Sequence, residues 1–501
     1  MNRLQTALTR IFAVLLTLAF CLLAGLCLWG GSPLQALVPA AVAALTALAG
    51  AGCLLALLLT EHLRGRLRHP RRVYALLLAA GLAVYFLLQL YFAGHLITNG
   101  VKSWDFGIVV DAAMDAARGG SVPEAYFRMW SNNIPQLLLL TGVFRLAAAL
   151  GAADFNLVGI GLNLFAIDLS ILLCARCLRR ATGRRAAALL GAALLCATLP
   201  LLTYSAIYYT DTLTLPFPIG VLLLWLEAKT ALHAGRRQRG LLLLGLAAAV
   251  AALGALLKIT VLFVLIAVVI DALLSFAPRR GAACLCAAVL LFSAVYFPLQ
   301  RAGQHSPLLV ADSTGSGDYY IPFTHWIMMG LYGNGGYRDE DYQLTLSVPG
   351  SERQALVAAE IQSRLRAYGF CGLLRHLRDK CVYVWADGTY YAAVAADRDR
   401  VSSAGIDRFV LASADRFAVT AYPCQALLLL NELCLAAAGL LLWCKNHSAL
   451  LLPAGISLFG LFLFECLWEA RSRYLLNYLP VFVAVTVTVL CALASRLRRR
   501  A

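Results

Sequence analysis

Charge is scarce in this chain. Asp, Glu, Lys and Arg make up 14% of its 501 residues and hydrophobic residues 61%, whereas a soluble domain is nearer a quarter charged and half apolar. That balance excludes an ordinary water-soluble enzyme. No cysteine pair with the spacing and setting of a metal site stands out among the fifteen cysteines. Most of them, such as Cys21, Cys27, Cys53, Cys174, Cys196 and Cys434, lie in apolar runs where the thiol behaves as a small hydrophobe. Cys371 and Cys381, in a polar segment, are a candidate disulfide pair. No internal repeat is visible, which counts against a transporter built from two related halves.

What the chain has instead is apolar runs of about 18–25 residues, the length that crosses roughly 30 Å of hydrocarbon. Its mean hydropathy is +0.77. Spans are expected near 9–30, 33–58, 73–94, 156–177, 186–203, 212–229, 240–257, 259–276, 281–299, 421–444, 449–467 and 475–494. The fold class is therefore an all-α polytopic membrane protein of about twelve helices. Residues 1–31 resemble a signal peptide, with Arg3 and Arg10 ahead of an apolar stretch. The stretch is longer than an ordinary signal core and another span follows at once, so it reads as retained.

The net charge of +16 lies in short clusters between spans: His62 to Arg72, Arg176 to Arg185, Arg236 to Arg239, Arg279 with Arg280, and Arg496 to Arg500. This is the positive-inside pattern of cytoplasmic loops. No folded reader accompanies these clusters, so nucleic acid is not an expected partner. One stretch decides the topology: 134–151 (IPQLLLLTGVFRLAAALG). If it crossed, the basic cluster at 176–185 would land outside. With it lying along the outer interface, all five clusters fall inside, and Arg145 escapes burial at a cost of about 3 kcal/mol. The expectation is a multi-pass plasma-membrane protein with cytoplasmic N- and C-termini. Residues 95–155 and 301–420 would then be external.

Four polar groups would share that outer face. In the first, Trp104 and Asp105 precede a helix-like stretch. Asp105 either caps that helix or acts as a general base beneath a shielding indole. Asp111 and Asp115 follow four residues apart on the helix; Asp111 is a second choice of acid or metal ligand. Asn132 and Asn133 precede Ile134 and Pro135, a capping pattern, with Tyr126, Phe127 and Trp130 as interface-belt or sugar-stacking aromatics. In the second, Tyr208, Tyr209 and Thr210 surround Asp211 at the head of an apolar run, as a cap or a hydroxyl-binding cluster. Lys258 breaks LGALLKITVLF, where an ammonium needs an interface, a counter-charge or an anion. In the third, 325–342, His325 and Trp326 open a glycine-rich stretch that closes on Asp339, Glu340 and Asp341. That suits a solvated turn, or calcium without EF-hand spacing. In the fourth, WEARSRY, Glu469 lies beside Arg471 and Arg473, whose planar forks suit phosphate oxygens. Two arginines there run against the positive-inside trend.

The order of these elements resembles the multi-spanning GT-C glycosyltransferases that use polyprenyl-phosphate sugars, in particular bacterial relatives of the protein O-mannosyltransferases and the lipid A aminoarabinose transferases. The resemblance covers 73–494. It rests on Trp104 and Asp105 in the first loop, NNIPQLLLL, the basic-ended span before Gly183, the Asp211 loop, the LLKIT break and RSRYLLNYLP. It implies inverting transfer of a sugar to an acceptor hydroxyl in the cell envelope, with Asp105 as base. Trp104, Asp111, Asn133, Tyr209, Asp211, His325 and Trp326 would then meet substrate, and Lys258, Arg471 and Arg473 would hold the donor phosphate. Phe106 stands where the O-mannosyltransferases carry the second acid of an Asp-Glu pair, which leaves a divalent metal open and no other cofactor implied. By the same resemblance, 1–60 is an addition of two spans, 73–300 the transmembrane core with its external loop 95–155, 301–420 the external segment and 421–494 the closing spans. The competing expectations are a flippase or transporter of lipid-linked glycans, and an O-antigen ligase or polymerase.

Overall fold

In hydrocarbon no water is present to bond peptide groups, so each crossing segment must satisfy its own backbone as a helix. The computed structural model describes residues 3–30, 33–34, 36–64, 69–96, 104–311, 318–397, 405–444 and 448–500. Among these the chain is mostly helical, and the only sheet is a short parallel pairing of Val122 with Leu309 and Pro123 with Val310. That pairing ties the first long loop to the segment after residue 304.

Nine helices among the described residues are long and apolar enough to cross a membrane: Arg3–Trp29, Pro39–Leu63, Pro70–Leu96, Phe155–Thr182, Thr210–His233, Arg237–Leu257, Pro278–Gln304, Ala418–Trp443 and Ser472–Arg499. The expected span at 186–203 is instead a pair, Arg185–Cys196 and Leu199–Ala206, bent by 55°. Pro200 opens the second helix of that pair, and proline can neither donate to the preceding turn nor leave its predecessor helical. The apolar helices at Ile259–Ser275 and Leu451–Leu467 are shorter than the rest. Helix Ile134–Ala149 has 16 residues, too few for a perpendicular crossing. Its Arg145 is exposed and donates from Nη2 to the Ala116 carbonyl at 3.0 Å.

The last long helix is the hub. In its most apolar stretch 83% of residues are buried, against 11% in Pro278–Gln304, which therefore lies at the rim with its leucines outward. The two N-terminal helices are no loose addition. Thr17 Oγ1 donates to the Ala436 carbonyl at 3.2 Å and Thr46 Oγ1 to Ala426 at 3.2 Å. The first helix approaches helix Ala418–Trp443 so closely that a Cβ on Gly439 would sit 2.6 Å from the Ala13 carbonyl oxygen.

Three of the basic clusters meet at one end, where Glu61 takes Arg184 at 3.2 Å and Arg498 at 2.7 Å. Helix Gly350–Trp385 drives its end into the bundle, and Trp385 packs edge-on between Phe20 (5.7 Å) and Phe482 (6.1 Å). The reason lies in the stretch 382–396, whose aromatic and alanine residues bury apolar area that water would reject.

Candidate functional site

Trp104 and Asp105 open helix Trp104–Ala117. Asp105 lies within the first turn and is half-buried, and its Oδ1 accepts the Tyr126 hydroxyl at 2.7 Å. Asn133 does not cap its helix. Its amide bridges two phenols instead, Nδ2 donating to the Tyr126 hydroxyl at 2.7 Å and Oδ1 accepting from Tyr209 at 3.0 Å. Burial, with the Asp105 charge beside it, holds the Tyr126 phenol well above its ordinary range. Burial does the same for Tyr209, so both stay protonated donors. The result is a relay, Tyr209 to Asn133 to Tyr126 to Asp105, that fixes the carboxylate from one side.

The Trp104 ring meets Tyr209 edge-on at 5.0 Å. Above both lies the Arg473 guanidinium, 4.9 Å from the Trp104 ring centre and 5.7 Å from that of Tyr209, the stacking geometry that desolvated arginine favours. Arg473 Nη1 is 3.8 Å from Asp211 Oδ2, and Lys258 Nζ forms an ion pair with Asp211 Oδ1. Asp211 is 1% exposed and lies inside the first turn of helix Thr210–Leu213, whose N-cap is Tyr209, so it is not the cap of that helix. Lys258 stands where one helix ends in extended backbone and a 3-10 turn begins. It does not snorkel: it pairs with Asp211 and lies over the Tyr474 ring at 5.0 Å. One carboxylate, Asp211, thus serves two cations. The Arg473 Nε is buried without a hydrogen-bond partner.

Arg471 turns another way. Its Nη1 donates to the Tyr391 hydroxyl at 2.6 Å and its Nε lies 3.4 Å from Glu469, which also accepts the Tyr474 hydroxyl at 2.5 Å. Glu469 therefore partners Arg471 and leaves Arg473 to Asp211. Asp111 is exposed on the helix beyond Asp105, where its charge acts on Tyr208.

His325 and Trp326 belong to a neighbouring layer. Trp326 leans on Trp130 at 5.2 Å, and Trp130 stacks on Tyr342 at 5.5 Å. His325 is fully buried, its Nδ1 2.7 Å from the Thr345 hydroxyl. Burial pulls its imidazole down to about 4, against the pull of Asp341. The acidic run that follows is no calcium loop. Asp341 is buried and takes two bonds from Arg364, at 2.7 and 2.8 Å, and one from Arg338 at 3.1 Å. Among the described residues no group of three or more His, Cys, Asp or Glu side chains is placed to hold a metal ion.

The family model for a conserved hypothetical integral membrane protein matches residues 1–493. The chain belongs to that family. No curated protein matches it. Membership agrees with the apolar helices and places the polar cluster of Asp105, Asn133, Tyr209, Asp211, Lys258 and Arg473 inside an integral membrane protein.

The sequence reading missed what holds this cluster in place. Asp387 is buried and saturated: it accepts from the Thr389 amide (2.9 Å), the Thr389 hydroxyl (2.6 Å), the Tyr391 amide (2.8 Å) and the Ser472 hydroxyl (2.6 Å). It thereby joins the turn after Trp385 to the arginine turn. The three non-glycine residues with positive φ among the described residues are Trp104 (55°), Tyr390 (51°) and Tyr391 (65°). Trp104 and Tyr391 each touch a site arginine. Such strain persists only where the surroundings impose it.

Lys380 holds the other flank, with Nζ donating to the carbonyls of Gly330 (2.9 Å), Cys466 (3.3 Å) and Trp468 (2.5 Å). This accounts for two of the glycines of 325–342: a Cβ on Gly335 would lie 2.7 Å from the Lys380 stem and one on Gly330 2.9 Å from its Nζ. The Cys174–Cys177 step, passed over in the sequence, is buried in helix Phe155–Thr182, where the Cys174 thiol donates to the Pro480 carbonyl at 3.4 Å.

Proposed function

We propose that this integral membrane protein is an inverting glycosyltransferase that moves a sugar from a polyprenyl-phosphate donor to an acceptor hydroxyl of the cell envelope. One observation carries the reading. A half-buried carboxylate, Asp105, and two partly buried cations, Lys258 and Arg473, come from segments far apart in sequence and meet around the Trp104–Tyr209 pair.

In this mechanism Asp105 takes the proton of the acceptor hydroxyl as its oxygen attacks the anomeric carbon. The bond from that carbon to the phosphate oxygen breaks, and the polyprenyl phosphate leaves with the negative charge. Lys258 and Arg473 stabilise it, and the buried Arg473 Nε is a donor free for a phosphate oxygen. Arg471 lends charge from the same turn. Asn133, Tyr126 and Tyr209 position the base. Trp104, Trp326 and the rings beside it offer faces to sugar, with His325 behind them and Asp111 at the rim. No step is assigned to a divalent metal.

On this reading the bent pair and the two short apolar helices also cross, giving twelve spans in a GT-C-like bundle. The site lies on the external face of the plasma membrane and both termini are cytoplasmic. Loop 95–155 and the exposed part of 301–420 are then external, and 1–60 is an addition to the core.

The test is sugar transfer by the purified, lipid-reconstituted protein from a panel of radiolabelled undecaprenyl-phosphate sugars to an envelope extract. Transfer by the wild type that is lost in a folded Asp105→Asn variant supports the reading. Equal transfer by both moves the base elsewhere, and no consumption of any donor sinks it. A transporter of lipid-linked glycans is the second reading, favoured by Glu432 and Glu465. Both carboxyls are buried in apolar helices with neither oxygen hydrogen-bonded, and intramembrane carboxyls of that kind carry protons in transporters. Movement of a labelled lipid-linked glycan across vesicles without covalent transfer would establish it.

A further inference from the structure

Five arginines at the basic end of the bundle take no part in the site described above. Arg236, Arg237 and Arg239 stand at the start of helix Arg237–Leu257, and Arg279 and Arg280 at the start of helix Pro278–Gln304. The fold brings the two starts together. His233, at the end of helix Pro216–His233, lays its ring against Phe276 at 4.7 Å. A Cβ on Gly240 would lie 2.5 Å from the Leu232 side chain, so both arginine turns close on the end of that helix. Further along, a Cβ on Gly245 would lie 2.6 Å from Leu291, so the two helices lie side by side.

Three acids of this end are already engaged. Arg180 pairs with Glu227 at 2.8 Å, close to the point where Glu61 holds Arg184 and Arg498. Asp271 is fully buried and accepts from Lys229 Nζ (2.7 Å), Trp225 Nε1 (2.6 Å) and the Ser275 hydroxyl (3.1 Å). The five arginines are exposed, and among the described residues their side chains make no ion pair or hydrogen bond. Just beyond them the same two helices turn Leu242, Leu246, Val289 and Leu290 outward. A cationic cap above an outward apolar wall fits an anion that carries hydrocarbon.

We propose that the two arginine turns bind the phosphate of an anionic phospholipid, whose acyl chains lie along helices Arg237–Leu257 and Pro278–Gln304. Guanidinium forks match phosphate oxygens two at a time. Basic groups gathered between neighbouring helices at a membrane surface recognise headgroups of this kind. A soluble anion would meet the same arginines and leave the leucines uncovered. The inference is independent of the proposed transferase activity and of the side of the membrane this end faces.

The experiment uses the full-length protein, delipidated in detergent, with dioleoyl-phosphatidylglycerol, dioleoyl-phosphatidylcholine and inorganic phosphate as probes. Native mass spectrometry counts the retained lipid, and thermal unfolding reads its effect. The wild type should retain phosphatidylglycerol in preference to phosphatidylcholine and gain a few degrees from it alone. Arg279→Gln with Arg280→Gln should weaken that binding about tenfold or more. Arg71→Gln with Arg72→Gln removes the same charge from the start of helix Pro70–Leu96 and should leave the binding nearly unchanged. Equal losses in the two double variants, equal retention of the two lipids, or the same gain from phosphate overturns the proposal. A photoactivatable phosphatidylglycerol on the wild type should label peptides within 234–246 and 278–291. Labelling only elsewhere also overturns it, whether or not a variant folds.

Discussion

Two polar regions looked equally promising in the sequence, and the structure separates them by how completely their groups satisfy one another. In 325–342 and the helix beneath it, every charge the fold buries has found its complement. Arg364 grips Asp341 with both arms and gives a third bond to the Met328 carbonyl at 2.8 Å, and Lys380 is spent on three carbonyls. Around Trp104 the pairing is incomplete. Two cations share Asp211 and Arg473 Nε has no acceptor. The first region pairs its buried charges internally, although the ring nitrogens His325 Nε2 and Trp385 Nε1 stay without partners, whereas the second leaves a cationic donor, Arg473 Nε, unpaired. Buried polar groups are common to both, so it is the unpaired donor on a buried charge that marks the second as the candidate site.

The comparison breaks most sharply at Asp105. Asp105→Asn keeps the Tyr126 contact sterically and removes the base, so transfer should fall about 10²–10⁴-fold with the thermal midpoint nearly unchanged. A comparable loss of folding would show Asp105 to be structural. Arg364→Ala is the mirror case: it leaves the buried Asp341 to Arg338 alone and should cost up to about 3–5 kcal/mol of stability. It should act on activity only through the amount of folded protein, as measured by thermal unfolding beside specific transfer.

Lys258→Ala leaves Asp211 with Arg473 alone, and Asp211→Asn leaves both cations unneutralised. In a double-mutant cycle the two changes should couple by about 0.5–3 kcal/mol. Strict additivity would dissolve the node. Asn133→Ala breaks two hydrogen bonds between phenols and should cost about 1–3 kcal/mol, read as a lower midpoint in detergent together with a lower kcat.

The smallest effect is the pH dependence at His325. Its imidazole titrates near 4 in the fold and near 6.5 when unfolded. Below about pH 6.5 the unfolded chain takes up a proton that the folded one refuses, so stability falls from there toward pH 4. His325→Gln should flatten that part of the profile of midpoint against pH. An unchanged slope would mean that other groups dominate.

The legible part of the site follows a simple rule. Asp105, Asp211, Lys258 and Arg473 stood out because each is a charge at the edge of an apolar run, where the cost of exposure to lipid demands a reason. Tyr126 and Asn133 were visible, as belt or sugar-stacking ring and as cap or substrate contact, but not as a relay to Asp105, because the partner that completes it, Tyr209, lies across the fold. Asp387 carried no signal. It sits in an ordinary-looking ADGTYY, and only the return of Ser472 completes its set of four donors. Trp385 shows the same limit for the fold, since a segment that looks external by its charges buries the aromatic end that its composition also contains.

The sequence by itself determined that this chain dissolves in lipid, because hydropathy over twenty residues is a local sum. Which arginine takes which acid and which tyrosines serve Asp105 were decided only by tertiary structure. These are contacts a few ångströms long between positions hundreds of residues apart, and no periodicity along the chain encodes them.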